Sequence, residues 1–222
     1  MMESSVKKFN LGHHIDTTNF FFYNDLMKKF LAIIILSLCF IIPSQADDIR
    51  DFEIDGMSVK VSLLEYFDKN YIKKNKVYFE QAKGNKEYAK LELGKSSIYE
   101  SLQITFKDDQ TFKIVAVEGF IFFKNDIKSC LSRRERVIKE LSEIFKSQIK
   151  SDFGKKKHFI DNNSFTYNYV IGFGSRAELY TQHYDAIAIA CYDWSKKLPY
   201  FDSFRLSIRT KELNQWLDRL NK

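Results

Sequence analysis

Two cysteines, two histidines and one glycine-containing run hold most of the chemistry available downstream of residue 46. Cys130 lies three positions after Ile127 and one before Leu131, on the apolar side of a helical pattern. Cys191 alternates with Ile187 and Ile189, on the apolar side of a strand pattern. Both therefore face one helix–sheet seam. An exported chain with two cysteines commonly pairs them, so a Cys130–Cys191 bridge is expected. It would close a loop of about 60 residues and stabilise by up to roughly 4 kcal/mol on the chain-entropy model. The competing arrangement is two buried thiols that only pack.

The other candidates are weaker. Gly172-Phe173-Gly174-Ser175-Arg176-Ala177 matches G-x-G-x-x-A after an apolar strand, with Asp193 downstream, which on paper is a dinucleotide fingerprint. Residues 178–185 make a poor amphipathic helix, and little chain remains for further βαβ units, so a glycine-containing hairpin turn is expected instead. His183-Tyr184-Asp185, with His158 and Asp161, could supply polar ligands, yet no H-x-x-x-H or C-x-x-C spacing occurs. His183 and Asp185 stay as a candidate polar site, with no metal and no catalytic residue assigned. There is no G-x-S-x-G for serine catalysis. Lys128, Arg133, Arg134, Arg136 and Lys139, together with residues 155–157, could touch anionic lipid or a polyanion. Glu135, Glu140 and Glu143 interleave with them, so a solvated helix face is expected.

The segment that places the protein lies earlier. Met27-Lys28-Lys29 precedes an apolar run from Phe30 to Ile42, then Pro43, Ser44, Gln45 and Ala46, then Asp47-Asp48. A basic start, an apolar stretch, a breaker and small residues describe a signal peptide cleaved between Ala46 and Asp47. A spanning helix needs roughly 20 apolar residues, more than this run offers. Bulky Leu38 argues against a lipoprotein site at Cys39. Residues 1–26, with adjacent His13 and His14, read as a start-site artefact. The expected organisation is therefore 1–26 artefact, 27–46 signal peptide and 47–222 a single domain. The 222 residues carry 35 Lys+Arg against 29 Asp+Glu, net +6, and 45% are hydrophobic. That apolar share is too high for a disordered chain, and three cysteines are too few for a disulfide-dense miniprotein. Losing residues 1–46 removes four lysines and three acids and leaves +5. Phe, Lys, Asn, Ile and Tyr all have AT-rich codons, so the mild basicity reflects codon bias more than nucleic-acid binding.

The elements that must position these residues follow from periodicity. Residues 49–54 read as a strand ending at the turn Asp55-Gly56, and Ser58 as the cap of a helix through Leu63, Leu64, Tyr66 and Phe67. Residues 88–93 read as a strand. Leu102, Ile104 and Phe106 alternate with Gln103 and Thr105, and residues 112–123 return as their hairpin partner. Ile127, Leu131, Ile138, Leu141, Phe145 and Ile149 recur at helical spacing between Asn125 and Lys150, with Asn125 or Asp126 as cap. Residues 155–157 read as a loop. Phe165, Tyr167, Tyr169, Ile171 and Phe173 share one strand face; residues 186–192 and Phe204, Leu206 and Ile208 mark two more strands. Residues 211–220 close the chain as a helix. The expected fold is α+β: a mainly antiparallel sheet with about three helices packed largely on one face.

Phe52-Glu53-Ile54-Asp55-Gly56-Met57-Ser58, continuing from Ser62 to Phe67, resembles a family of small exported proteins of AT-rich marine alphaproteobacteria. Cys191-Tyr192-Asp193-Trp194 and the stretch from Ser207 through Arg209 to Trp216 fit the same resemblance. It implies a periplasmic α+β domain and brings no catalytic residues with it. The resulting expectation is an exported periplasmic binding or envelope-associated module of a Gram-negative bacterium. An envelope protein or a small ligand would be its partner. No cofactor, nucleic acid or transmembrane segment is expected in the mature chain. A periplasmic hydrolase-like enzyme and a peripheral membrane protein are the alternatives.

Overall fold

The computed structural model describes residues 48–82, 84–158, 161–174 and 183–220. Residues 1–47, with the expected signal peptide and Ala46–Asp47 cleavage site and with Cys39, and Ser175, Arg176 and Ala177 of the glycine-containing run lie outside the described residues. Eight strands are ordered along the chain as β1 (Val77–Tyr78), β2 (Tyr88–Leu93), β3 (Ser101–Lys107), β4 (Ile114–Phe123), β5 (Ile149–Lys157), β6 (Phe165–Phe173), β7 (Asp185–Asp193) and β8 (Asp202–Arg209). Three helices accompany them: α1 (Lys69–Asn75), α2 (Ile127–Ile144) and α3 (Lys211–Leu220). The strands make one antiparallel sheet in the order β1-β2-β3-β4-β8-β7-β6-β5. It consists of two four-strand meanders, each followed by a helix, joined where β4 pairs with β8. This is the expected α+β architecture.

Strand alternation sorts the side chains onto two faces. Leu102, Ile104 and Phe106 of β3, Phe204, Leu206 and Ile208 of β8, and Ile187, Ile189 and Cys191 of β7 enter one core with Cys130 and Leu141 of α2 and Ile72 of α1. Gly119 of β4 lets the Tyr99 ring lie on the strand: a Cβ there would sit 2.5 Å from ring carbons. The opposite face meets α3, whose Leu213 and Trp216 pack with Tyr88, Val115 and Ala116. Among the described residues α1 and α2 thus lie on one face and α3 on the other.

The expected bridge is present. Cys130 of α2 and Cys191 of β7 form a disulfide with a Cα–Cα distance of 6.0 Å, within the ordinary span for such a link. A second tie runs from buried Arg134 on α2. Its Nε–H donates to the Tyr167 carbonyl at 3.2 Å, one terminal nitrogen pairs with Asp152 at 2.8 Å, and the other pairs with Glu135. The helix therefore grips β7 covalently and β5 and β6 through one guanidinium. Arg134 is 4% exposed, so the expected solvated basic face does not include it.

Four further expectations change. Residues 49–54 are not a strand: Ile49–Asp51 is a 3-10 turn capped by Asp48, and only Ile54 pairs, with Met57, across the expected Asp55-Gly56 turn. Both turn residues have positive φ, 55° and 75°, as a two-residue hairpin demands. Ser58 caps no helix, because its hydroxyl is used on the Arg50 and Phe52 carbonyls. Ser62 instead heads a capping box with Glu65 over the 3-10 turn Leu63–Glu65, and Asp68 caps α1. The long helix stops at Ile144, not at Lys150. Phe145 turns inward and packs edge-on against Phe52 and Phe173, and Ile149 already pairs with Gly172. Lys155, Lys156 and Lys157 are not a loop but the end of β5, an edge strand whose lysines discourage pairing with other sheets.

Replacing both cysteines, Cys130→Ala with Cys191→Ala, should cost about 2–4 kcal/mol in urea denaturation. Wild-type protein should lose a similar amount on adding reductant, while the double variant should not respond. A wild-type unfolding curve indifferent to reductant would show that the link adds no stability.

Candidate functional site

The central strand β8 has a second face. Between the apolar Phe204, Leu206 and Ile208 stand Ser203, Arg205, Ser207 and Arg209, pointing toward the α3 side. On β7 the residues opposite Arg209, Ser207 and Arg205 are Ala186, Ala188 and Ala190. On β4 they are Ala116, Glu118 and Phe120. Each arginine therefore has a methyl group as its β7 neighbour, which leaves the space above the sheet to the guanidinium.

That space is a cavity of about 700 Å³. Leu213, Leu217 and Leu220 of α3 form one wall. Phe79, Phe120, Tyr192 and Trp194 supply aromatic surface, and Gln103, Thr105 and Ser203 supply hydrogen-bonding groups. Its charged side chains are Lys90, Arg205 and Arg209 against Glu118. Arg209 and Leu217 also line a second hollow of about 380 Å³ that continues over Ala186 and Ala188 to Asn168 and Asp218. The size and the mixture of apolar walls with a few polar groups are those of small-molecule sites.

The two arginines differ in their support. Arg205 approaches Glu118 at 3.6 Å and lies over the Tyr192 ring at 5.3 Å. Burial works against its charge, but Glu118 and Tyr192 outweigh it and raise its pKa. Arg209 has its pKa lowered, first by burial and then by the like charge of Arg205. Its Nε is buried, and so is the Ser207 hydroxyl between the two arginines; neither has a hydrogen-bond partner among the described residues. Buried polar groups are normally satisfied, so both are set up to receive one.

One end of the cavity is aromatic. His158 is buried, 4.6 Å from the Trp194 ring and 5.9 Å from Tyr192, while Tyr192 and Trp194 stack at 5.7 Å. Two loops place these rings. His158 N–H donates to the Ser164 carbonyl at 2.8 Å. The Ser164 hydroxyl donates to Asp161 and accepts from the Ser195 N–H. Asp202 accepts from the Trp194 N–H at 3.0 Å. Burial, then the charge of Arg205, holds the His158 pKa below the usual histidine value.

The residues singled out from sequence lie elsewhere. His183 Nε2 is 2.9 Å from Asp218 at the rim of the smaller hollow. Asp185 instead caps α3 through the Lys211 N–H and pairs with Lys60, each at 2.7 Å. His183 and Asp185 thus serve different partners. Asp161 closes a loop rather than joining a site, and the disulfide lies on the other sheet face. Among the described residues no group of three His, Cys, Asp or Glu is placed to hold a metal ion. Sequence reading missed Arg205 and Arg209. The available signal was their i, i+4 spacing on the polar side of a strand whose apolar side was already recognised.

The His158 shift has a sign that can be measured. The unfolded chain takes up a proton near pH 6.5, the folded chain only at lower pH. Stability tied to the neutral ring is therefore complete above that pH and is lost as pH falls through the folded value. Urea denaturation at pH 7.5 and pH 5.5 should show His158→Gln losing less stability on acidification than wild type. Equal losses would remove His158 as a source of the pH dependence.

No family model matches this chain, and neither a curated protein nor a solved structure matches it, so what the groove can bind follows from its own geometry and chemistry.

Proposed function

We propose that this protein is an exported binding module of the Gram-negative periplasm that holds a small ligand between the polar sheet face and α3. The observation that carries the reading is the cavity of about 700 Å³, where aromatic and leucine walls surround charged groups rooted on strands. Groups on strands of a central sheet are held more firmly than groups on loops, which suits selective binding. Export is supported by the basic and apolar pattern of residues 27–46 and by the Cys130–Cys191 disulfide, a link that persists in oxidising compartments. Among the described residues no helix is long and apolar enough to cross a membrane.

The rival reading is a periplasmic hydrolase-like enzyme, and one observation favours it: the His183–Asp218 pair beside the smaller hollow. His183→Ala separates the two, because a binding module keeps its ligand when that pair is lost.

Two measurements test the proposal. Protein recovered from the periplasm should begin at Asp47; full-length protein found only in the cytoplasm would refute export. Native mass spectrometry of that protein should show a small-molecule adduct that disappears on denaturation. It should be weaker in Ser203→Leu, which places bulk on the cavity floor. Adduct-free protein whose melting temperature is unmoved by neutral, anionic and cationic decyl compounds would refute a binding role for the groove.

A further inference from the structure

We infer that the groove takes a small amphipathic anion, a carboxylate or phosphate head on an apolar chain or ring, with the head between Arg205 and Arg209 and the apolar part against α3. This inference rests on the groove being a binding site and goes on to name the ligand class.

The charge inventory comes first. Lys90, Arg205 and Arg209 line the cavity against one acid, Glu118. That acid stands opposite Ser207, between the two arginines, and approaches Arg205 at 3.6 Å. Glu118 also favours the charge of Arg209, but burial and Arg205 outweigh it, and Arg209 makes no ion pair with an acid among the described residues. Two guanidinium groups on one strand face, with one carboxylate between them, leave an uncompensated positive charge in a partly dehydrated space. A ligand anion supplies the missing charge, and the planar fork of arginine matches a carboxylate or phosphate bidentately. The buried Arg209 Nε and Ser207 hydroxyl, both without partners among the described residues, are further hydrogen-bonding groups at the same place. A cation would add to the excess positive charge, and a neutral ligand would leave it uncompensated.

The apolar half follows from the walls. Leu213, Leu217 and Leu220 on α3 line the cavity together with Phe79 and Phe120. A free inorganic anion would leave those surfaces wet. An anion with an apolar tail covers them and adds burial of hydrophobic area to the charged contact. Lys90 is set over the Phe79 ring at 4.9 Å, so the positive charge extends along the groove toward that wall.

Calorimetric titration of the full mature chain with decanoate, monodecyl phosphate, decanol, decyltrimethylammonium and inorganic phosphate tests this. Decanoate or monodecyl phosphate should bind at least tenfold more tightly than the other three, and the tighter of the two identifies the head group. Raising salt should weaken that binding. Arg209→Met should reduce anion affinity tenfold or more with no fall in melting temperature, and Arg209→Lys should fall between, since it keeps the charge and loses the fork. Lys139→Ala, on the exposed side of α2, should leave affinity unchanged. If decanol or decyltrimethylammonium binds as tightly as the anions, the groove remains a binding site and the anion assignment is wrong. If inorganic phosphate binds as tightly as monodecyl phosphate, the amphipathic assignment is wrong. If none of the decyl compounds binds, the groove reading and the inference fall together. Because wild-type selectivity is the primary readout, the test does not depend on any variant folding.

Discussion

Strand β8 has to be covered on both faces, and the rest of the molecule follows from that. It is hydrogen-bonded to β4 on one side and β7 on the other, and so joins the two meanders into one sheet. Phe204, Leu206 and Ile208 meet the main core and can be sealed by close packing. Ser203, Arg205, Ser207 and Arg209 cannot be sealed in that way, because a charge pressed into an apolar interface loses its hydration without repayment from a partner. Helix α3 therefore packs on the sheet through Leu213 and Trp216, which meet Tyr88, Val115 and Ala116, with Trp216 at ring distances of 5.1 and 5.0 Å from Phe79 and Tyr88. Beyond that contact the arginines hold the groove open.

The two faces are held with different firmness. On the core side, α2 is fixed by the disulfide, by Arg134 and by Phe145, three anchors of different chemistry along one helix. They make the sheet a rigid platform for anything on its other side. On the groove side, α3 is held by one aromatic and leucine cluster, by Asp185, which caps its first turn and reaches Lys60, by Asn214 on the Tyr184 carbonyl, and by the pairs Lys113–Glu212 and His183–Asp218. The charged groups of the groove sit on β8, which is hydrogen-bonded to a strand on each side.

Much of this was legible in the sequence where one period decided the outcome. The alternations at 102–106, 165–173, 186–192 and 204–208 gave four strands, and the pattern at 211–220 gave both ends of α3. The same periods matched Cys130 to Cys191, since each cysteine lies in phase with isoleucines that reach one core. Legibility failed where tertiary contacts outranked local pattern. Ile149 continues the helical spacing of α2, but burying Phe145 and pairing with β6 end the helix first. Strand β5 hid behind its lysines because an edge strand need not be apolar. Ser58 and Ser62 are equally good caps by residue type; only the carbonyls of Arg50 and Phe52 choose between them. The arginines of the groove were passed over because alternation of apolar and polar residues normally means a wet outer face. That rule assumes one face is open, and a central strand under two helices breaks it.

The contrast between two arginines is the strongest reason to read the polar face as a site and not as a packing fault. Arg134 and Arg209 both have buried guanidinium atoms. Arg134 is answered by Asp152, Glu135 and the Tyr167 carbonyl, as a structural arginine should be. Arg209 makes no ion pair among the described residues; it has the like charge of Arg205 near it, only partly offset by Glu118, and alanines beside it on both strands. For a purely structural role, an apolar side chain of similar volume would fill the place at no loss, or a gain, in stability. Local rules broken without compensation inside an otherwise consistent fold tend to mark the places where a protein meets something else. Here the break has a definite sign, an excess of positive charge, and a definite setting, a groove with apolar walls. The fold supports a complete Arg134 network a few strands away, so it had the means to pair Arg209 from within; on the proposed reading, the position left without an ion pair is where a ligand's charge would sit.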